Sequence, residues 1–227
     1  MPARAPQIDN IVTPFGVAKY PKLNAPDTKF KEDGEYSVKI LLDPANAKQF
    51  IASVDELYDR VTAFFQAQRD EEIRQKGKDP SKARPIKKGA KPYREEADPD
   101  TGELSGLVEV TAKLPAIGRS KRTGKTWENR PVIIDSNKKV VNVEIGGGST
   151  IRFSAQAYGW FTPQLGAGVT LRLKTVQVKE LKTWGQDATE GFDAVDDGYV
   201  GQEASTTTAP VTSYTTAEAE GDTDFDF

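Results

Sequence analysis

The sequence contains no cysteine and no histidine. These absences exclude thiol and imidazole nucleophiles, histidine-based triads, disulfides, and every zinc site built from those ligands. Catalysis would have to rest on carboxylates, lysines or tyrosines. The carboxylates Asp55, Glu56 and Asp59, clustered on one helix face, could hold Mg²⁺ but read as the solvated face of a helix. The chain is therefore not expected to be an enzyme, and no catalytic residue, cofactor or metal site is assigned. Long apolar runs are missing too. No segment approaches the roughly 18 consecutive apolar residues of a membrane span. The start, MPARAPQIDNIV, lacks the apolar stretch of a secretory signal. No membrane partner is expected, and the expected compartment is the cytoplasm.

Positive charge is absent from the last part of the chain. All 31 Lys and Arg lie at or before Lys182, together with 23 of the 34 Asp and Glu. The body therefore carries a net charge of +8 and the tail −11. Such a split suggests a basic body that meets a polyanion, and an acidic arm. From about residue 184 the sequence is polar, Thr-rich and acidic, and it reads as a largely disordered tail. It ends EGDTDFDF, in which Asp222, Asp224 and Asp226 accompany Phe225 and Phe227. Exposed phenylalanines are a solubility liability unless something uses them. A tail that merely solvates the protein leaves them unexplained. A tethered polyanion near a basic groove would compete with a bound polyanion, at an effective concentration up to roughly millimolar. Once displaced, it would be free to bind a partner.

The body of 183 residues can bury one good core. Ile11–Tyr20 reads as a first strand and Pro21–Asp33 as a loop. Glu35–Leu42 alternates Tyr36, Val38 and Ile40 on one face, a strand pattern. Asp43 at an N-cap and Pro44 at the first helical position predict a helix over about 44–76. Its apolar stripe runs through Phe50, Val54, Leu57, Val61 and Phe64 or Phe65. A basic loop follows over about 77–94. From Leu107 onward the pattern is strand: Val108–Leu114, a hairpin around GRSKRTGKTW, Pro131–Asp135, Val140–Ile145, Thr150–Trp160 and Val169–Leu181. In the last of these the apolar phase slips near Lys174–Thr175, which a β-bulge explains. The expected fold is mainly β, an OB-fold-like Greek-key barrel over 1–183 with one long inserted α-helix.

Thr123-Gly124-Lys125-Thr126 looks like the end of a phosphate-binding loop, but five residues separate Gly118 from Gly124 and a strand follows instead of a helix. Nucleotide hydrolysis is rejected there. The cation and aromatic clusters carry more. Arg119, Lys121, Arg122, Lys125 and Arg130 surround one hairpin with Trp127 among them. Arg152, Tyr158 and Trp160 share a strand face opposite Ile151, Phe153, Ala155 and Ala157. Lys87, Lys88, Lys91, Tyr93 and Arg94 repeat the theme in the basic loop. Cations can grip a phosphate backbone while aromatics stack bases, at about 1–3 kcal/mol per base. Tyr158 and Trp160 can alternatively cover a secondary cluster under the helix.

Taken in order, EYSVKILLDP with its helix, KKGAKPY, VIIDSNKKVV, IGGGSTIRFSAQAYGW, GAGVTLRLKTVQVKEL and the acidic tail closing on Phe227 resemble the single-stranded DNA-binding proteins of short-tailed bacteriophages. The resemblance implies an OB-fold that binds single-stranded DNA without sequence preference, with Tyr158 and Trp160 in contact with it. It implies a role in phage DNA replication, recombination and repair in the host cytoplasm. It also implies a tail that docks the phage DNA polymerase and primase-helicase through its terminal aromatic, and it is compatible with a homodimer. Single-stranded RNA binding, a non-catalytic protein adaptor and a Mg²⁺-dependent nuclease are the rival readings.

Overall fold

A computed structural model of the protein describes residues 4–120 and 123–183. The expected tail therefore lies outside the described residues. The strands are β1 (Gln7–Val12), β2 (Gly16–Asp27), β3 (Glu35–Leu42), β4 (Tyr93–Ala97), β5 (Leu104–Pro115), β6 (Ile117–Arg119), β7 (Thr126–Glu128), β8 (Val132–Ile134), β9 (Thr150–Thr162) and β10 (Gly166–Glu180), with one long helix, α1 (Pro44–Gln75).

Helix α1 starts where the sequence places it. The Asp43 carboxylate accepts from the backbone N–H groups of Ala45 and Asn46, and Pro44 has no N–H to leave unpaired. Its stripe of Phe50, Val54, Leu57 and Val61 is buried, while Phe64 and Phe65 are half-buried. The helix lies against β1, β5, β9 and β10. Gly159 in β9 allows this approach: a Cβ there would fall 2.3 Å from Val61 Cγ2.

Five strands pair in a ring. β2 pairs β3, β3 pairs β5, β5 runs parallel to β10, β10 pairs β9, and β9 returns to β2. Two seams are thin, with β2–β9 holding two register pairs and β5–β10 one. This is the OB-fold connectivity with its helix inserted between the second and third ring strands, as the sequence pattern predicts. Alternation puts Val38, Ile40, Val110, Ala112, Ile151, Phe153, Leu171 and Leu173 inside. The ladder between β9 and β10 shifts register between Leu173 and Thr175, the expected bulge.

Several boundaries differ from the sequence reading. The first strand is two, β1 and β2, because Thr13–Phe15 break the pairing. β2 continues through the expected loop to Asp27, with irregular pairing on either side of Lys22. Val140–Ile145 is not a strand; it touches β8 through one bridge, Ile134 to Val140. The basic loop is not loose. Its residues 87–90 lie along β10: Ala167 N–H donates to Lys87 O, and Val169 N–H donates to Ala90 O. Tyr58 of α1 donates its hydroxyl to Gly89 O at 3.0 Å.

Candidate nucleic-acid interface

The outer faces of β2, β3 and β5 form a groove of about 440 Å³. Its walls are aromatic, Tyr20 at 64% exposure and Phe30 at 86%. Ser37 and Thr111 line it between lysines 22, 31, 39 and 113. Tyr20 has φ +49°, a left-handed conformation unusual for a bulky residue, at the point where the β2–β3 register slips. Such bulges re-aim side chains next to functional sites. Phe30 projects from the connection between β2 and β3, with Lys29 Nζ 5.3 Å from its ring centre. Two carboxylates also line the groove, Asp27 and Glu35. Burial pushes Glu35 up, but hydrogen bonds from Lys31 and Lys113 outweigh it and hold the carboxyl below its usual range.

At Lys39 the groove meets a charged cluster. Lys39 Nζ is 3.1 Å from Glu109 Oε1, and Arg94 reaches the same oxygen at 2.9 Å. Lys19 lies 2.6 Å from Glu96. The hydrogen bond between them raises the lysine and lowers the carboxyl.

The residues singled out in the sequence fall into four places. Arg94 belongs to the cluster beside the groove. Lys91 and Tyr93, by contrast, are tied to α1: both donate to Asp55 Oδ1. The hydrogen bond to Asp55 pushes Lys91 up to about 12. Burial and the same carboxylate push Tyr93 up. Their observed bonds serve to fasten this segment to the helix. Lys87 and Lys88 are exposed on the stretch that follows β10, near Trp160, which packs half-buried over Gly168 and beside Ala90.

On the hairpin of β6 and β7, Arg119 grips Asp33 through both carboxylate oxygens, at 2.8 and 2.7 Å. This links the hairpin to the Phe30 loop. Trp127, 51% exposed, lies over Gly118 and donates its indole N–H to Asn129 Oδ1. Lys125 is exposed, and Arg130 flanks a separate apolar hollow with Val132 and Val140. Lys121 and Arg122 lie outside the described residues. The fourth place is the outer face of β9 and β10, which neighbour the groove strands β2 and β5 in the ring. Arg152 stacks 4.6 Å above Phe15, and Arg172 sits 5.2 Å from the Tyr158 ring beside Arg4, Gln7 and Gln156.

Sequence reasoning missed Tyr20, Lys22, Phe30, Lys31, Lys39 and Lys113. One signal was available: Phe30 stands between Lys29 and Lys31 in a segment with no apolar periodicity, the same cation-and-aromatic theme noted elsewhere.

Among the described residues no group of three or more Asp and Glu is arranged to hold a metal ion. No described helix is long and apolar enough to cross a membrane.

The ring and the groove define an OB-fold protein with aromatics and lysines on its outer face. The fold is that of gp2.5, a single-stranded DNA-binding protein encoded by bacteriophage T7: TM-score 0.59 and 23% identity, covering 85% of this chain and 98% of that one. Over 120 residues the sequence is 37% identical to the single-stranded DNA-binding protein of Escherichia phage T7. That match spans half of this chain and half the length of the relative. The single-stranded DNA-binding protein of bacteriophage Enc34, in a C-terminally truncated form, is more distant, with TM-score 0.49 and 16% identity over 77% of this chain and 87% of that one. No family model matches the sequence. The T7 comparisons bear out the resemblance to phage single-stranded DNA-binding proteins read from the sequence.

Proposed function

We propose that the protein is a non-catalytic, sequence-tolerant single-stranded DNA-binding protein of phage DNA replication, recombination and repair. Residues 1–183 are the binding domain. Residues 184–227 are an acidic arm that competes with DNA and, when displaced, recruits the phage polymerase and primase-helicase through Asp222, Asp224, Phe225, Asp226 and Phe227. The observation that carries this reading is the groove: two exposed rings, Tyr20 and Phe30, set among four lysines on the face of β2, β3 and β5.

The physical logic is direct. A single strand offers its base faces to both rings and its phosphates to the lysines. A duplex keeps its bases stacked on one another and offers only phosphate. Every base has a π-face, so stacking tolerates sequence. Each phosphate neutralised releases counterions, so the logarithm of affinity falls with the logarithm of salt by about 0.7 per contact on a single strand.

Titration of labelled oligo-dT, oligo-U and duplex DNA across a salt series tests the reading. Tight, steeply salt-dependent binding of oligo-dT with weak duplex binding is expected. Equal affinity for duplex, or an oligo-dT affinity indifferent to salt, sinks it. Preference for oligo-U moves the assignment to RNA.

A further inference from the structure

Glu109 is an odd residue for the outer face of a β-strand. Its side chain is only 3% exposed, yet it faces the groove side of β5 and not the core. Burying a carboxylate costs several kcal/mol unless cations and hydrogen bonds compensate it. Three strands supply the cations. Lys39 comes from β3, and Arg94 from β4 donates through Nε and Nη2. Lys19 from β2 stands 4.0 Å from the second oxygen but is held chiefly by Glu96.

The arrangement is lopsided. Lys39 and Arg94 converge on one oxygen, Oε1, each about 3 Å from it. Two cations share a single acceptor, so neither is fully satisfied by it. Among the described residues Arg94 Nη1 has no partner, and the Arg94 side chain is 70% exposed. Lys19, Lys39 and Arg94 face Glu96 and Glu109, with Asp98 also close enough to act on Lys19 and Glu96. Lys39 also lines the aromatic groove. The cluster is thus an extension of the groove with spare donors.

We propose that Lys39 and Arg94, gathered on one oxygen of buried Glu109, form a phosphate-binding subsite that continues the groove, with Glu109 holding both cations in place until a phosphodiester arrives. The ligand is the backbone of a single strand, so the proposal rests on the function proposed above. A phosphate bridging the two cations supplies the second acceptor that each lacks. Glu109 itself is a positioning residue: it fixes the two donors, and its charge partly opposes the incoming phosphate.

Salt titrations of oligo-dT with the full chain test this. Arg94→Gln and Lys39→Gln should each reduce the salt slope by about 0.7 and weaken binding about five- to tenfold at about 50 mM salt. Lys48→Gln, on an exposed position of α1, should leave both unchanged. Glu109→Gln keeps an amide oxygen for the two donors and removes the opposing charge. It should tighten binding at low salt and steepen the slope, which a merely structural brace would not do. Phe30→Ala should lower affinity with the slope unchanged, so stacking and phosphate contacts are read separately. If Arg94→Gln and Lys39→Gln both keep the parent slope while the parent binds oligo-dT, the subsite is wrong and the groove stands. If Glu109→Gln leaves both affinity and slope as in the parent, the role assigned to Glu109 is wrong. If the parent itself does not bind oligo-dT, both proposals fall. Arg94 is largely exposed, so its variant is expected to fold and to remain informative even where Glu109→Gln does not.

Discussion

At the scale of single residues, Phe30 is the most informative. It is a large apolar side chain left almost wholly in water, on a loop fastened by the Asp33–Arg119 pair. Nothing in the fold needs it, so Phe30→Ala should change stability by less than about 0.5 kcal/mol. If a base stacks on it, the same change should cost about 1–3 kcal/mol of affinity for oligo-dT, or roughly 5- to 150-fold. Thermal melting and oligo-dT titration together check the pair of expectations. A large drop in melting temperature would make Phe30 a structural residue instead. Such residues were only half legible in the sequence. The chain shows that Phe30 sits between lysines, but strand pairing makes it a neighbour of Tyr20 and of Lys113. Lys91 and Tyr93 illustrate the converse. Asp55, nearly forty residues away in sequence, ties both to the helix, a pairing that their composition does not announce.

Elements were more legible, for a physical reason. Helix α1, β3, β9 and each half of β10 bury one regular face, and regular burial writes a period into the sequence, whose slip marks the bulge in β10. The sequence shows only the first half of β2, because its second half pairs irregularly and carries Pro21 and Pro26, so no period survives there. Residues 87–90 carry no pattern in the sequence because they hold β10 through backbone groups, which any side chain permits. The seat of α1 on the barrel depends on Gly159. Gly159→Ala should force its new methyl against Val61, a stiff β-branched side chain, and cost about 1–3 kcal/mol. Val61→Ala should relieve part of that cost in the double variant, which a double-mutant cycle on melting free energies would detect. The attachment of residues 87–93 should depend on pH. Burial pushes Asp55 up, but the hydrogen bonds from Lys91 and Tyr93 hold it below its usual value. A carboxyl lowered in the folded state adds stability above its unfolded pKa, near 3.9. That stability is lost as pH falls through the lowered folded value. Lys91, raised to about 12, keeps its charge through neutral pH and loses its share only as pH rises through that value. Asp55→Asn should mimic acidification at neutral pH. Asp55 is partly exposed, so the loss should not exceed about 1 kcal/mol after solvent screening. Amide exchange should then speed up at 86–93 while the middle of α1 stays protected. Unchanged exchange there would show that the backbone bonds to β10 suffice.

For the whole molecule the governing quantity is the division of charge, +8 before residue 183 and −11 after Lys182. Under the proposed function, a polyanion on the same chain would compete with DNA for the groove lysines at an effective concentration set by the tether, not by the solution. The structure indicates where to cut. Lys182 N–H donates to the Ser149 hydroxyl, and Lys182 O accepts from Ser149 and from Gly146 N–H. Ending the chain after Leu181 would therefore remove a clasp on the barrel along with the tail, whereas ending it after Thr183 leaves the clasp whole. The variant ending at Thr183 should bind oligo-dT more tightly than the full chain. The difference should be largest at low salt and should shrink as salt screens both competitors. The full chain should also show the shallower salt slope, because DNA there exchanges with carboxylates as well as with counterions. Replacing Phe225 and Phe227 by Ala in the full chain separates charge from stacking. Affinity close to that of the full chain means that charge alone competes. Affinity close to that of the shortened chain means that the rings seat the tail in the aromatic groove. Equal binding by the full and shortened chains across the salt series would remove the competition model, and leave the arm with partner recruitment alone.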